Sequence, residues 1–315
     1  MPSSEAVGSQ GSDTYIGVDV GGTKVSVAVL EGSKLHEPRL RRTDTSDGPH
    51  LLDQIVEAVR EAGPARAVGV AVPSVIDFET GRVRASVNVP LADVPLRDVL
   101  RERLGMPVVV DNDATCAALA EAYDEAGALV ARHLVMLTIG TGVGGGIVID
   151  GRIYRGATGA AAELGHMIVG ADLRRAPFAH AEHFPLPGSL ESLAAGPALN
   201  KLCAEHGIEA GAGVEAARAG NPHALAALDL LGRRLGVGIA NVINTFDPHL
   251  VVIGGGVSSA GELLLAPARE EAARFVLRGV GTRTEIRQAR WGVRAGVRGA
   301  ALLAGQEATH EVGVR

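Results

Sequence analysis

A strand-like run broken by adjacent glycines and then resumed occurs twice in this chain, about 120 residues apart. In the first copy, Tyr15 to Val20 lead into Gly21, Gly22, Thr23 and Lys24, and Val25 to Val29 alternate apolar and small residues at a strand's period of two. In the second, Leu134 to Ile139 form a buried strand, the glycines between Gly140 and Gly146 form the turn, and Ile147 to Ile149 return. So many glycines inside strand-like sequence cost backbone entropy, and close approach of the backbone to another group is the usual reason. Hydrophobic residues make up 46% of the chain and aromatics 3%, so cores of Val, Leu, Ile and Ala are expected, which suits alternating strands and helices. At 315 residues the chain exceeds what one core usually serves, and two lobes follow.

A glycine hairpin can present several N–H groups to a phosphate while a nearby Asp holds Mg²⁺. Taken alone, the first hairpin reads equally as an ordinary tight turn. It is not a Walker-type loop, which needs GxxxxGK[ST] leading into a helix. A third cluster, Gly254, Gly255 and Gly256, follows the helical segment His223 to Phe246, the stop at Asp247 and Pro248, and the buried strand Leu250 to Ile253. There a nucleoside has room to lie against bare backbone.

Asp111, Asn112 and Asp113 sit where the run Val108 to Val110 hands over to an apolar-rich helical segment, Ala114 to Ala126. Ligands of open α/β sheets bind beyond the carboxyl ends of strands. Asn112 or Asp113 also suits a helix cap, and the residues alone leave both roles open.

Asp19 to Lys24, Asp111 to Asp113, Thr138 to Gly146, Glu163-Leu164-Gly165-His166 and Val252 to Gly256 occur in an order and spacing that resemble the ROK family of sugar kinases and repressors. The resemblance runs from about Tyr15 to the end of the chain. It implies a two-lobed actin-like, ribonuclease-H-like α/β fold with ATP in the cleft. The expected division is a disordered tail over 1–14, a small lobe of 15–131 plus 297–315, and a large lobe of 132–296, the last helix lying near Val297 to Gln306.

By the same resemblance, Asp19, Gly21, Gly22, Thr23 and Lys24 form the first phosphate site, with Asp19 on Mg²⁺ directly or through water. Thr138, Gly140, Thr141 and Gly142 form the second, and Gly254, Gly255 and Gly256 border adenosine. Asp113 is implied as general base, and a helix N-terminus favours its ionised form. Asn88, Asn112, Glu163, His166 and Glu191 are implied as sugar ligands. Read by themselves, Glu163 and His166 are equally a surface pair sharing one helix face.

The chain departs from the resemblance in one region. Most ROK kinases carry a CxCGxxGCxE zinc loop, and this chain has no cysteine between Cys116 and Cys203. A substitute set of His166, His180, Glu182 and His183 fits no known zinc spacing, and no zinc is expected. Ser74 and Ala162 stand where glycine is usual, adding atoms near the expected pocket.

The expected reaction is therefore ATP-dependent phosphorylation of a primary hydroxyl of a hexose or hexose-like substrate, glucokinase-type, giving the 6-phosphate. Amino sugars such as kanosamine and C7 cyclitols are alternative substrates, and a non-catalytic sugar sensor is the alternative of another class. Repressors of this family carry a helix-turn-helix domain before the first glycine motif, and only residues 1–14 precede it here. A net charge of -6 carries no basic footprint for nucleic acid. Without a signal-like N-terminus or a membrane span, a cytoplasmic homodimer or homotetramer is expected.

Overall fold

The computed structural model describes residues 13–86, 88–170 and 184–313. The elements in chain order are β1 (Thr14–Val20), β2 (Lys24–Glu31), β3 (Lys34–Leu35), β4 (Arg39–Arg42), α1 (Gly48–Ala62), β5 (Ala67–Val72), β6 (Ser74–Asp77), β7 (Arg82–Ser86), α2 (Leu96–Leu104), β8 (Val108–Asn112) and α3 (Asp113–Glu121). They continue with β9 (Leu134–Ile139), β10 (Val143–Ile149), β11 (Arg152–Ile153), α4 (Leu190–Ala194), α5 (Gly196–Ala204), α6 (Gly213–Arg218), α7 (Pro222–Phe246), β12 (Leu250–Gly254), α8 (Glu262–Phe275), β13 (Glu285–Gln288) and α9 (Ala295–Gly313).

Two sheets repeat one wiring. In the first, β1 pairs antiparallel with β2 and parallel with β5, which pairs parallel with β8. In the second, β9 pairs antiparallel with β10 and parallel with β12, which pairs parallel with β13. This is the actin-like arrangement, and Asp19 and Thr138 occupy corresponding places near the ends of β1 and β9.

One face of the first sheet is covered by α1, whose Leu51, Ile55, Val56 and Val59 stripe joins that core. Each such side chain stabilises by roughly 1.5–3 kcal/mol on burial. Asp47 starts α1 by accepting the His50 N–H at 2.9 Å. On the other face lies α9, and Gly17 and Gly69 let it come down to backbone contact, since a Cβ at either would collide with the Val297 or Ala300 carbonyl. Against the second sheet, α7 and α8 build the larger apolar core. Gly232 permits their close crossing, where a Cβ would stand 2.6 Å from the Leu264 carbonyl oxygen.

Between the sheets runs α3. Its Cys116 carbonyl meets α9 at Gly299, and its Ala118 meets β10 at Gly146. This placement sets the N-terminus of α3, with Asp113, between the two glycine hairpins.

Three elements differ from the sequence reading. Helix α3 ends at Glu121 rather than running to Ala126, because Asp124 Oδ1 takes the Ala126 and Ala128 N–H groups at 3.0 and 2.8 Å and Gly127 turns at φ 79°. The last helix runs longer than expected, from Ala295. Gly144, Gly145 and Gly146 lie inside β10, opposite Thr138, Leu137 and Met136, and the turn itself is only Gly140, Thr141 and Gly142. Of the expected tail, Thr14 already belongs to β1, Asp13 Oδ1 accepts Arg66 Nη1 at 2.6 Å, and 1–12 lie outside the described residues. Among the described residues no helix is long and apolar enough to cross a membrane.

Candidate active site

A cavity of about 680 Å³ opens between the hairpins and the α3 N-terminus. It is lined by Asp19, Lys24, Asn88, Asn112, Asp113, Thr138, Gly140, Thr141, Gly142, Glu163, Glu191 and Gly255. Gly21, Gly22, Thr23, Gly254, Gly256 and His166 are not on its wall. Gly22 lies behind Asn88, where a Cβ would stand 3.4 Å from the Asn88 Cβ. Gly254 is backed by the flexible end of Met136, whose Cε lies 2.6 Å from where a Cβ would be. Gly146 is required by packing. An added Cβ there would meet Ala118 Cβ at 2.5 Å and the Ala114 carbonyl oxygen at 2.8 Å, so its close approach is to α3, whereas Gly144 lines the cavity with Thr138 Oγ1 2.6 Å from where its Cβ would stand.

Capping and site geometry coincide at the β8–α3 junction. Asn112 caps α3, its Oδ1 accepting Ala114 N at 2.9 Å and Thr115 N at 3.1 Å. Its Nδ2 donates to the Ser74 carbonyl at 3.3 Å. Asp113 Oδ1 accepts Ala114 N at 2.8 Å. Asp111 is turned away from the cavity, buried, with Oδ1 accepting Asn112 N at 2.8 Å and Oδ2 accepting Arg155 Nε at 2.8 Å.

Asp113 reverses the electrostatic expectation. Its carboxyl is pushed above the usual carboxylate range because burial outweighs the Ala114 N–H, its own N–H and the Asn112 side chain. Asp19 is pushed up to about 7, first by burial, then by the charge of Asp113, with Lys24 pulling it back. Two carboxylates that each disfavour the other's charge fit a hard divalent cation, which removes that repulsion. Gly296, at the start of α9, presses on the same group, since a Cβ there would stand 2.5 Å from Asp19 Oδ2.

On the far side of the cavity, Glu191 Oε2 accepts Val143 N at 2.8 Å, just beyond the second hairpin turn. Glu163 precedes a single 3-10 turn, Leu164–His166, instead of an α-helix, and its Oε2 lies 3.8 Å from His166 Nε2. The His166 ring packs edge-on against Phe184 at 4.9 Å, and its buried Nδ1 has no hydrogen-bond partner among the described residues. Ala162 lines the cavity with φ 73°, a left-handed conformation that carries strain for any residue with a Cβ. Of the substitute zinc set, His180, Glu182 and His183 lie outside the described residues, and no group of three ligating side chains occurs among the described ones.

The sequence reading missed Gly296, the Ser74 carbonyl and Arg155. Each acts through a contact made by distant chain segments; Ser74 alone was marked in the sequence, for its side chain and not for its carbonyl.

A model of the ROK family matches residues 15–307. A glucokinase of Halalkalibacterium halodurans is 34% identical, over 93% of this chain and 95% of that protein. An N-acetyl-D-glucosamine kinase of Photobacterium profundum is 35% identical, over 92% and 98%. Among solved structures, a ROK family glucokinase from Streptomyces griseus in complex with glucose and AMPPNP superposes with a TM-score of 0.75 at 32% identity, covering 93% of this chain and 99% of that one.

Proposed function

The chain belongs to the ROK family, and from that premise we propose that it is a glucokinase-type enzyme, moving the γ-phosphoryl group of ATP to the 6-hydroxyl of glucose or a close hexose analogue. It is an ATP-dependent sugar phosphotransferase. The observation that carries the finer reading is the meeting of Asp19 and Asp113 in one cavity between two glycine hairpins.

Asp113 is the general base. Burial raises the proton affinity of its carboxylate, so it accepts the hydroxyl proton more readily than a solvated Asp does. Asn112 has both lone pairs of Oδ1 engaged by backbone N–H groups, which leaves an Nδ2 hydrogen as the donor that orients a substrate hydroxyl. Glu191 keeps Oε1 for a sugar hydroxyl while Val143 fixes Oε2. Glu163 accepts a second hydroxyl, with His166 beside it, and Asn88 lies toward the phosphate side, against Gly22.

Lys24 and the Gly140 to Gly142 turn face the phosphates, and Asp19 would hold Mg²⁺. That ion supplies neutralising charge to the phosphate oxygens. Gly255 borders the nucleoside end of the cavity. The assembly is proposed to be a homodimer or homotetramer, which sedimentation resolves.

An ATP-coupled assay over glucose, mannose, fructose, their amino and N-acetyl forms and C7 cyclitols tests the reading. Glucose-dependent ADP release, with glucose 6-phosphate as product, is the expected result. ADP release with none of the panel would sink it and leave a sensor. The methyl of Ala162 narrows the cavity wall and so bears on which hexose fits, and an amino sugar or cyclitol is the second reading.

A further inference from the structure

Arg155 follows β11 and opens the loop that carries Glu163. Its side chain is 18% exposed and that of its partner Asp111 4%, so the pair is largely removed from water. Nε donates to Asp111 Oδ2 at 2.8 Å, the guanidinium carbon lies 3.4 Å from the centroid of the Phe78 ring, and Nη2 stands 3.7 Å from Glu307 Oε1 on α9. One planar cation therefore touches three elements that the chain brings in from three places.

The second oxygen of Asp111 accepts the Asn112 N–H at 2.8 Å. The guanidinium thus sets the plane of the Asp111 carboxylate, and that plane sets the peptide that enters the Asn112 and Asp113 turn. The Arg155 carbonyl accepts Ala161 N at 3.0 Å, which closes the loop before Glu163. The same loop seats on the β6–β7 hairpin at Gly159, where a Cβ would collide with the Ile76 carbonyl. That hairpin presents the Ser74 carbonyl to Asn112 Nδ2.

We propose that Arg155 is a positioning residue for phosphoryl transfer: through Asp111 and Phe78 it holds the Asn112–Asp113 junction and the Glu163 loop in one register around the substrate hydroxyl. The inference rests on the kinase reading above and adds to it a residue outside the cavity wall. Positioning matters because displacement of a reacting group by an ångström costs on the order of a hundredfold in rate. A clamp that served stability alone would leave the rate at temperatures well below melting untouched.

The test measures kcat, KM for ATP, KM for sugar and the melting temperature of wild type, Arg155→Met, Arg155→Lys, Asp111→Asn and the Arg155→Met/Asp111→Asn double variant. Arg155→Met is expected to lower kcat at least about tenfold and raise KM for sugar, with KM for ATP within about threefold. Arg155→Lys, which keeps the charge without the flat fork, is expected to fall between wild type and Arg155→Met. The double variant is expected to be no slower than the slower single, since both residues act through one contact. Wild-type kcat in folded Arg155→Met, or losses that multiply in the double variant, overturns the proposal. Should Arg155→Met fail to fold, Asp111→Asn and Arg155→Lys decide, and unchanged kcat in both overturns it. A wild type inactive on the whole sugar panel, or a fully active Asp113→Asn, overturns the kinase reading instead.

Discussion

Gly296 stands so close to Asp19 that a Cβ on it would lie 2.5 Å from the Asp19 Oδ2. The start of the last helix and the end of the first strand thus share one position, and only a residue without a side chain leaves the carboxylate facing the cavity. Gly296→Ala is expected to turn Asp19 aside and lower kcat/KM for Mg-ATP by about tenfold or more, roughly 1.4 kcal/mol of lost transition-state binding. Steady-state kinetics with Mg²⁺ titration check it, and an unchanged Mg²⁺ dependence would count against Asp19 as the metal ligand.

Asp113→Asn keeps the volume and the Ala114 N–H contact but removes the proton acceptor. Turnover is expected to drop by about 10²–10⁴, the usual worth of a general base. Calorimetric sugar binding is expected to persist, so loss of both together would point to a misfolded junction.

The folded-state pKa of Asp19, about 7, lies above its ordinary 3.8. Between those values the folded protein holds a proton that the unfolded chain releases. The stability contributed by this group is therefore full below about pH 4 and declines as pH rises through 7. Asp19→Asn is expected to flatten that part of the melting-temperature profile. Metal binding needs the ionised form, so at low Mg²⁺ the rate is expected to climb from pH 6 to pH 8, and chelation is expected to abolish it at any pH.

Ala162 holds φ 73° on the cavity wall. Ala162→Gly is expected to relieve backbone strain and to change stability by up to about 1 kcal/mol in the favourable direction, after the greater chain entropy of glycine is offset. The widened wall is expected to lower KM for N-acetylated hexoses relative to glucose. Thermal melting and paired KM values test the two effects separately.

Gly146→Ala places a methyl carbon 2.5 Å from Ala118 Cβ and 2.8 Å from the Ala114 carbonyl oxygen. Overpacking of this kind costs about 1–3 kcal/mol and here pushes on the first turns of α3. Both melting temperature and kcat are expected to fall. A fall in nucleotide affinity alone would return Gly146 to the ligand side.

By itself, the sequence determined the repeated strand, glycine, strand device, the strand-to-helix junction at Asp111 to Asp113, the long helix ending at Asp247, and with them the family and the actin-like fold. These are local patterns of period, turn residue and cap, which the chain writes into neighbouring positions. Asp111 was readable as part of that junction, but its partner was not, because Arg155 lies 44 residues away and joins it only through the meeting of β8 with the loop after β11. Only the tertiary structure decided which glycines face the cavity and which face helices. An absent side chain looks the same in sequence whether a phosphate or a methyl group fills the space. It also decided the electrostatics: the helix terminus at Asp113 pulls one way, and the burial of two carboxylates in one cleft pulls harder the other way, a balance set by how much water the assembled walls exclude.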